Sequence, residues 1–291
     1  MSDGAGPNRT GEPGPGGVPC GMPSWLSRLL RILGWSFPLF RLGGIQLAMH
    51  WSFLLLPAYA AVAGWWWSED WVGAATGVAL VMVLFTCVVL HELGHCFVAR
   101  RLGVQVPRIL LLPIGGMAEF DRMPRRPAHE FLIANAGPLV NVVLAGVLLA
   151  AVGLPADWSF WSLDYPDTGT GALQAILHWN LWMAAFNLTP AFPMDGGRIL
   201  RAALACFRPY LQATFCAATV GKVVAAALIL LALDAELYQL AVLFAFIIVA
   251  GELEYRSLRR MEREAAQWRE ILTRFPEQAG EPPILGIRPL E

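Results

Sequence analysis

The chain has 291 residues, of which 56% are hydrophobic and 15% are charged, and its formal net charge is −1. Together with a mean hydropathy of +0.53, this composition is typical of an integral membrane protein and excludes a charge-rich soluble domain. We therefore expect the lipid bilayer as a partner, and we expect no nucleic-acid partner.

Six segments with few or no charged side chains predict six transmembrane helices, because a helix needs about 20 apolar residues to cross the hydrocarbon layer. In chain order these segments are 42–68, 72–90, 131–156, 165–194, about 209–233 and about 237–251. Asp167 lies near the start of the fourth segment, Lys222 interrupts the fifth, and the sixth is short.

Arginine residues cluster before the first segment and after the second, fourth and sixth, whereas the other three loops contain neither Lys nor Arg. Because Lys and Arg near the ends of spans favour the cytoplasmic side, we predict a multi-pass protein of the plasma or inner membrane with both termini in the cytoplasm. The expected parts are a disordered Gly/Pro-rich tail over 1–24, an interfacial helix over 25–42, a six-span core over 43–251 and a charged helical tail over 252–291.

The second segment ends in HELGH, which contains two histidines and a glutamate. His91 and His95 are four residues apart, a spacing that places them on one face of a helix within reach of a single metal ion. Glu92 lies beside them and can take a proton from a water molecule, as in HExxH metallopeptidases. A catalytic zinc site needs a third protein ligand. Cys87 lies one turn earlier, but three ligands from successive turns of one helix are rare, so packing is the better interpretation of Cys87.

Asp195 is the better candidate for the third ligand. It ends the fourth segment, which runs in the same direction across the membrane as the second, so that Asp195 and HELGH are expected at the same depth. The alternative is an ion pair with Arg198 at the membrane surface. Proline and glycine surround the carboxylate and predict irregular backbone, which at membrane depth is tolerated where it lines a wet cavity; these residues are Pro190, Pro193, Gly196 and Gly197.

HELGH followed by NLTPAFPMDGG resembles the paired motifs of the site-2 protease family of intramembrane zinc metalloproteases, in its compact bacterial and archaeal branch without a regulatory domain. The resemblance implies that one zinc ion per chain binds His91, His95 and Asp195, and that Glu92 activates the water. It also implies that Asn187 lies near the scissile carbonyl, where it would bind substrate or stabilise the oxyanion. A hydrogen bond between helices remains the alternative for Asn187.

The segment VPRILLLPIGGMAEF resembles the membrane-associated β-hairpin of this family, so the expected fold is all-α, with six transmembrane helices and a hairpin between helices 2 and 3. Gly115 and Gly116 at its turn would help to bind an extended substrate, with a loop that does not touch substrate as the alternative. Asn141, in NAGPLVN, and His50 are candidates to support the metal ligands, although packing would explain both. His129 and His178 are interpreted as structural.

These expectations describe a zinc endopeptidase that hydrolyses a peptide bond within, or near the cytoplasmic edge of, a transmembrane segment of a membrane-spanning protein substrate. A metal transporter and a catalytically inactive scaffold are the alternatives. A transporter would distribute its metal-binding side chains along a path across the membrane, whereas here they are predicted to cluster at one depth, with a glutamate between the histidines.

Overall fold

The computed structural model describes residues 35–113, 115–120, 126–153 and 169–274 of the chain. The strands in these ranges are β1 (Ser36–Leu42), β2 (Ile45–His50), β3 (Arg108–Leu112) and β4 (Gly115–Glu119). The helices are α1 (Leu55–Ser68), α2 (Trp71–Arg101), α3 (Pro127–Val152), α4 (Gly169–Leu188), α5 (Asp195–Ala205), α6 (Tyr210–Asp234) and α7 (Tyr238–Arg274). The predicted tail over 1–24, most of the predicted interfacial helix and residues 275–291 lie outside the described ranges.

The four strands form one sheet in the order β1-β2-β3-β4. β1 and β2 are antiparallel, β2 and β3 are parallel, and β3 and β4 form an antiparallel hairpin in which Leu112 lies opposite Gly115. The hairpin follows α2 and precedes α3, and β4 forms one edge of the sheet.

Residues 36–42 and 45–50 are strands, so the predictions of an interfacial helix up to residue 42 and of a first span that starts there are wrong for these residues. Gly43 and Gly44 adopt φ values of +56° and +89° and reverse the chain between β1 and β2. A Gly-Gly pair between two apolar segments is a hairpin signal. The error arose because an uncharged run by itself does not distinguish a strand from a helix.

Four described helices are long and apolar enough to cross a membrane, namely α2, α3, α6 and residues Tyr238–Trp268 of α7. They coincide with the second, third, fifth and sixth predicted segments. Helix α1 has only 14 residues, and α4, with 20 residues, is not among the four. The chain is therefore a mostly helical, multi-pass membrane protein. Helix α7 continues for 37 residues, so the predicted boundary at residue 252 falls inside one unbroken helix.

The sheet packs against α2 through a buried apolar cluster. Leu47 of β2 and Ile109 of β3 share this cluster with Phe85 and Cys96 of α2 and Ile133 of α3. Because Cys96 directly follows HELGH, the cluster places the sheet beside the functional part of α2.

Lys222, the charge that interrupts the fifth predicted segment, has an ion partner in α7. Its Nζ pairs with the carboxylate of Glu252, which also accepts a bond of 2.6 Å from Nε of Arg256. Charged groups inside membrane proteins are usually paired in this way. The pair joins α6 to α7 and accounts for a lysine in an otherwise apolar helix.

Candidate active site

His91, His95 and Asp195 meet in the interior of the helix bundle. The Nε2 atoms of the two histidines are 3.1 Å apart, and each lies 3.2 Å from Oδ2 of Asp195. The exposed fractions of the three residues are 4%, 6% and 7%. The structure thus brings together the three residues that sequence reasoning selected from two distant segments, and Asp195 pairs with the histidines rather than with Arg198.

This donor set fits a zinc ion. Two imidazole nitrogens and a carboxylate oxygen are ordinary zinc ligands, and in a tetrahedral site with bonds of about 2.0–2.1 Å the ligand atoms are separated by roughly 3.3 Å. The observed separations of 3.1 and 3.2 Å are close to that value. Within the described residues, this is the group of His, Cys, Asp and Glu side chains that could hold a metal ion. A zinc ion held by these three side chains would have a fourth position for water, as in catalytic sites.

The backbone of α3 holds His95 in the orientation that binding requires. Nδ1 of His95 lies 2.7 Å from the carbonyl oxygen of Ile133. A carbonyl oxygen only accepts hydrogen bonds, so Nδ1 carries the proton and donates it. In the neutral imidazole the lone pair is then on Nε2, the atom that faces Asp195 and His91, and this is the tautomer that a metal ligand needs.

A chain of two asparagines orients His91 in the same way. Asn180 of α4 donates from Nδ2 to the carbonyl of Ile176 at 2.8 Å, so its Oδ1 accepts from Nδ2 of Asn141 at 2.9 Å. Oδ1 of Asn141 then accepts from Nδ1 of His91 at 2.6 Å. The structure thus places Asn141 against the metal-site histidine. Asn180, which sequence reasoning missed, is fully buried; its only signal was a polar amide inside an uncharged segment.

Cys87 takes part in this polar chain and not in the metal cluster. Its Sγ lies 3.4 Å from Nδ2 of Asn180, and it is absent from the group that could hold a metal. This position agrees with the interpretation of Cys87 as a packing residue.

Two glycines let the helices approach closely at the cluster. A Cβ atom added at Gly137 of α3 would lie 2.2 Å from Nε2 of His95 and 2.7 Å from Nε2 of His91. A Cβ atom at Gly94, inside HELGH, would lie 2.8 Å from the carbonyl oxygen of Ala136. The space beside the two Nε2 atoms therefore exists because position 137 carries no side chain.

Glu92 follows His91 in α2, and its side chain lies against strand β4. Its side chain is half-buried, and a Cβ atom at Gly116 would lie only 2.6 Å from its Cγ. Gly115 has φ of +142°, a conformation that favours glycine. One glycine therefore permits the turn of the hairpin, and the next permits the close passage of β4 over the carboxylate.

The first turn of α5 packs against the preceding loop so tightly that its two glycines are required. A Cβ atom at Gly196 would lie 2.3 Å from the carbonyl oxygens of Leu188 and Thr189, and one at Gly197 would lie 2.7 Å from the backbone nitrogen of Phe192. Helix α5 can therefore begin directly against the end of α4. Asp195 is the first residue of α5, where the helix dipole stabilises a carboxylate.

Asn187 and His50 form hydrogen bonds with residues close to them in the chain. Asn187, near the end of α4, is half-buried and donates from Nδ2 to the carbonyl of Met183 at 3.1 Å. His50 precedes the 3-10 helix Trp51–Leu54 and caps it, with its Nδ1 2.6 Å from Oγ of Ser52. His50 is not part of the group that could hold a metal. The roles expected for these two residues stay predictions.

The comparisons with known proteins agree with this geometry. A family model described as peptidase family M50 matches residues 79–160, which include HELGH and NAGPLVN. The solved structure of a site-2 protease from Methanocaldococcus jannaschii is 36% identical and superposes with a TM-score of 0.54, over 76% of this chain and 95% of that chain. This chain belongs to the site-2 protease family.

Two curated relatives match this site-2 protease family member over only part of their own length. A zinc metalloprotease of Methanocaldococcus jannaschii is 37% identical over 224 residues, which are 77% of this chain and 62% of that protein. The stage IV sporulation protein FB of Bacillus subtilis is 31% identical over 138 residues, which are 45% of this chain and 43% of that protein. The chain thus spans less than two thirds of the length of each.

Proposed function

We propose that this chain is a zinc endopeptidase that hydrolyses a peptide bond within, or near the cytoplasmic edge of, a transmembrane segment of another protein. The observation that carries the proposal is the buried set of His91, His95 and Asp195, with Glu92 adjacent to His91 in the chain and half-buried against Gly116. Membership of the site-2 protease family supports the same reaction.

The proposed roles follow from the contacts of each side chain. His91, His95 and Asp195 would hold one zinc ion, and a bound zinc ion lowers the pKa of water and polarises a carbonyl group. Glu92 would accept a proton from the attacking water as the new C–O bond forms. It would then donate that proton to the leaving nitrogen as the C–N bond breaks. Asn141 and the carbonyl of Ile133 keep both imidazoles in the binding tautomer throughout.

Strand β4 is the proposed binding surface for the substrate. It is an edge strand, and its Gly116 lies against Glu92. An extended peptide that pairs with such an edge forms main-chain hydrogen bonds along its length, so its peptide bonds would pass the carboxylate. Gly115 would leave room for that backbone, and Asn187 would bind the scissile carbonyl or stabilise the oxyanion.

The proposed setting is a plasma or inner membrane, with both termini in the cytoplasm. Helices α1 and α4 would complete six spans together with the four long apolar helices, and the hairpin would lie at the membrane. The distribution of arginine between the segments supports this orientation. The substrate would itself span the bilayer, and a helical segment would have to unwind locally before pairing with β4.

The substitution Glu92→Gln tests this function with a nearly isosteric change. We expect the purified variant to retain one zinc ion and a normal melting temperature, and to lose cleavage of a membrane-inserted peptide, because an amide cannot accept the proton. Glu236→Gln, in the exposed loop between α6 and α7, is the matched control and should cleave normally. Cleavage by Glu92→Gln at the rate of the unsubstituted chain would contradict the proposal. If the chain carried zinc into liposomes and Glu92→Gln left this flux unchanged, a transporter would be favoured instead.

A further inference from the structure

Arg201 and Glu130 form an ion pair in the interior, outside the metal cluster. Nε and a terminal nitrogen of Arg201 both contact Oε1 of Glu130, at 2.7 and 2.5 Å. The exposed fractions of the two residues are 4% and 0%. Among the described residues, the hydrogen bonds to this carboxylate come from Arg201. The pair joins α5, the helix that begins with Asp195, to the first turns of α3.

Glu130 lies on the same face of α3 as the groups that hold the two histidines. Ile133, Gly137 and Asn141 follow it at intervals of three or four residues, which place all four on one side of a helix. Ile133 binds His95 through its carbonyl, Asn141 binds His91 through its amide, and Gly137 makes room for both rings. Each histidine is therefore positioned by a group on this face.

Asp195 also has to be positioned relative to this face of α3. Helix α5 packs directly against α3, and α3 packs along α2, whereas α5 and α2 meet at few points. The distance between Asp195 and the histidines therefore depends on how α5 sits on α3. Distances within a metal site have to be correct to about 0.2 Å. A helix of 11 residues needs a second fixed point besides the packed glycines at its start.

Arg201 can provide this second fixed point for α5. Its guanidinium lies 5.0 Å from the ring centre of Phe192, in the loop before Asp195, and 5.1 Å from that of Tyr210 at the start of α6. A further nitrogen lies 3.5 Å from Oε1 of Glu254 in α7. One side chain thus contacts four segments, namely α3, the loop before Asp195, α6 and α7. A buried ion pair adds little net stability compared with an apolar pair, and in some proteins it is retained because it specifies one geometry.

We propose that the Arg201–Glu130 pair positions Asp195 for metal binding, so that one face of α3 sets the place of all three ligands. This inference rests on the proposed metal site. Both residues are positioning residues, since they act on the metal through the ligand they orient. Loss of the pair should weaken zinc binding even where the chain remains folded.

The test measures zinc affinity of the full chain in detergent by competition with a chelator, and melting of the zinc-free protein as a check on folding. Arg201→Lys keeps the charge but removes the planar fork of donors. We expect it to weaken zinc binding by about 10- to 100-fold, the range for partners that orient metal ligands. Arg256→Lys, in an exposed pair on α7 with a similar Nε contact of 2.6 Å, is the matched control and should bind zinc normally.

A double-mutant cycle separates a positioning role from a merely structural one. In an Asp195→Ala background the ligand is absent, so Arg201→Lys should weaken the remaining zinc binding by no more than about twofold. An equal loss of affinity in both backgrounds, or no loss in either, would overturn the inference. Glu130→Gln, which keeps the shape of the side chain, should repeat the result. If neither single variant folded without zinc, the pair would serve folding alone and the inference would also fail.

The same experiment distinguishes this inference from the proposed function. If Asp195→Ala bound zinc as tightly as the unsubstituted chain, the metal site itself would be wrong. If Asp195→Ala lost affinity but Arg201→Lys did not, the metal site would stand and only the positioning role would be wrong.

Discussion

Replacement of Gly137 by alanine should remove the metal from this protein without unfolding it. The added Cβ would lie 2.2 Å from Nε2 of His95, 2.6 Å from its Cε1 and 2.7 Å from Nε2 of His91. Ordinary contacts between such atoms are close to 3.5 Å, so an imidazole would have to move by about 1 Å. Metal sites tolerate errors of about 0.2 Å. Both rings are also tied from behind through Nδ1, so neither can retreat without loss of a hydrogen bond.

This substitution should change the stability of the folded chain only slightly. Alanine in place of glycine inside a helix stabilises it by about 0.5–1 kcal/mol, which offsets part of the strain at the rings. We therefore expect the zinc-free variant to melt within a few degrees of the unsubstituted chain, while it retains no stoichiometric zinc and cleaves no substrate. Zinc content by atomic absorption and melting in detergent measure the two effects separately.

Gly146 provides the matched control in the same helix. A Cβ atom at Gly146 would meet nothing within 4 Å, and the residue is exposed. Gly146→Ala should therefore bind zinc normally and melt at the same or a slightly higher temperature. Normal zinc affinity in Gly137→Ala would refute the reasoning, because it would show that the cluster rearranges at little cost or that the metal binds elsewhere.

Two further predictions concern the hairpin and the start of α2. Gly116→Ala places a Cβ 2.6 Å from Cγ of Glu92, so cleavage should fall at least tenfold while zinc content stays at one per chain; loss of zinc together with activity would contradict this separation. Asp70 accepts a hydrogen bond of 2.7 Å from the backbone of Gly73, which holds the pKa of its carboxyl below the ordinary value near 3.8. A pKa that is lower in the folded state contributes stability above about pH 4, and this stability is lost as the pH falls through the lowered pKa. Melting between pH 3 and pH 6 should therefore depend less on pH in Asp70→Asn, whose amide caps the helix without titrating; identical profiles would contradict the assignment.

The candidate metal site could largely be predicted from local sequence patterns. The HELGH spacing predicts one helical face, and the direction of the segments places Asp195 at the same depth. The structure brings these three residues within 3.2 Å of one another. Such patterns suffice because each ligand has a chemistry that is unusual in an apolar segment.

The first predicted span shows where the same reasoning failed. The criterion applied to residues 42–68 was the absence of charge, which strands and helices share when both are buried. The Gly43–Gly44 pair, flanked by apolar residues, was the available signal for a hairpin. Pairing of β2 with β3, some 60 residues later in the chain, is a tertiary contact that a local window does not contain.

Residue types and spacings in the chain were enough to predict a membrane protein, most of its long helices and the chemistry of a zinc site. Tertiary structure alone revealed the contacts around the His91–His95–Asp195 cluster, namely the carbonyl of Ile133, the Asn141–Asn180 chain and the space at Gly137, and the Arg201–Glu130 pair that joins α5 to α3. The physical reason is that ligand chemistry belongs to individual side chains, whereas orientation depends on distances between helices that are far apart in sequence. Those distances exist only once α2, α3 and α5 have packed together.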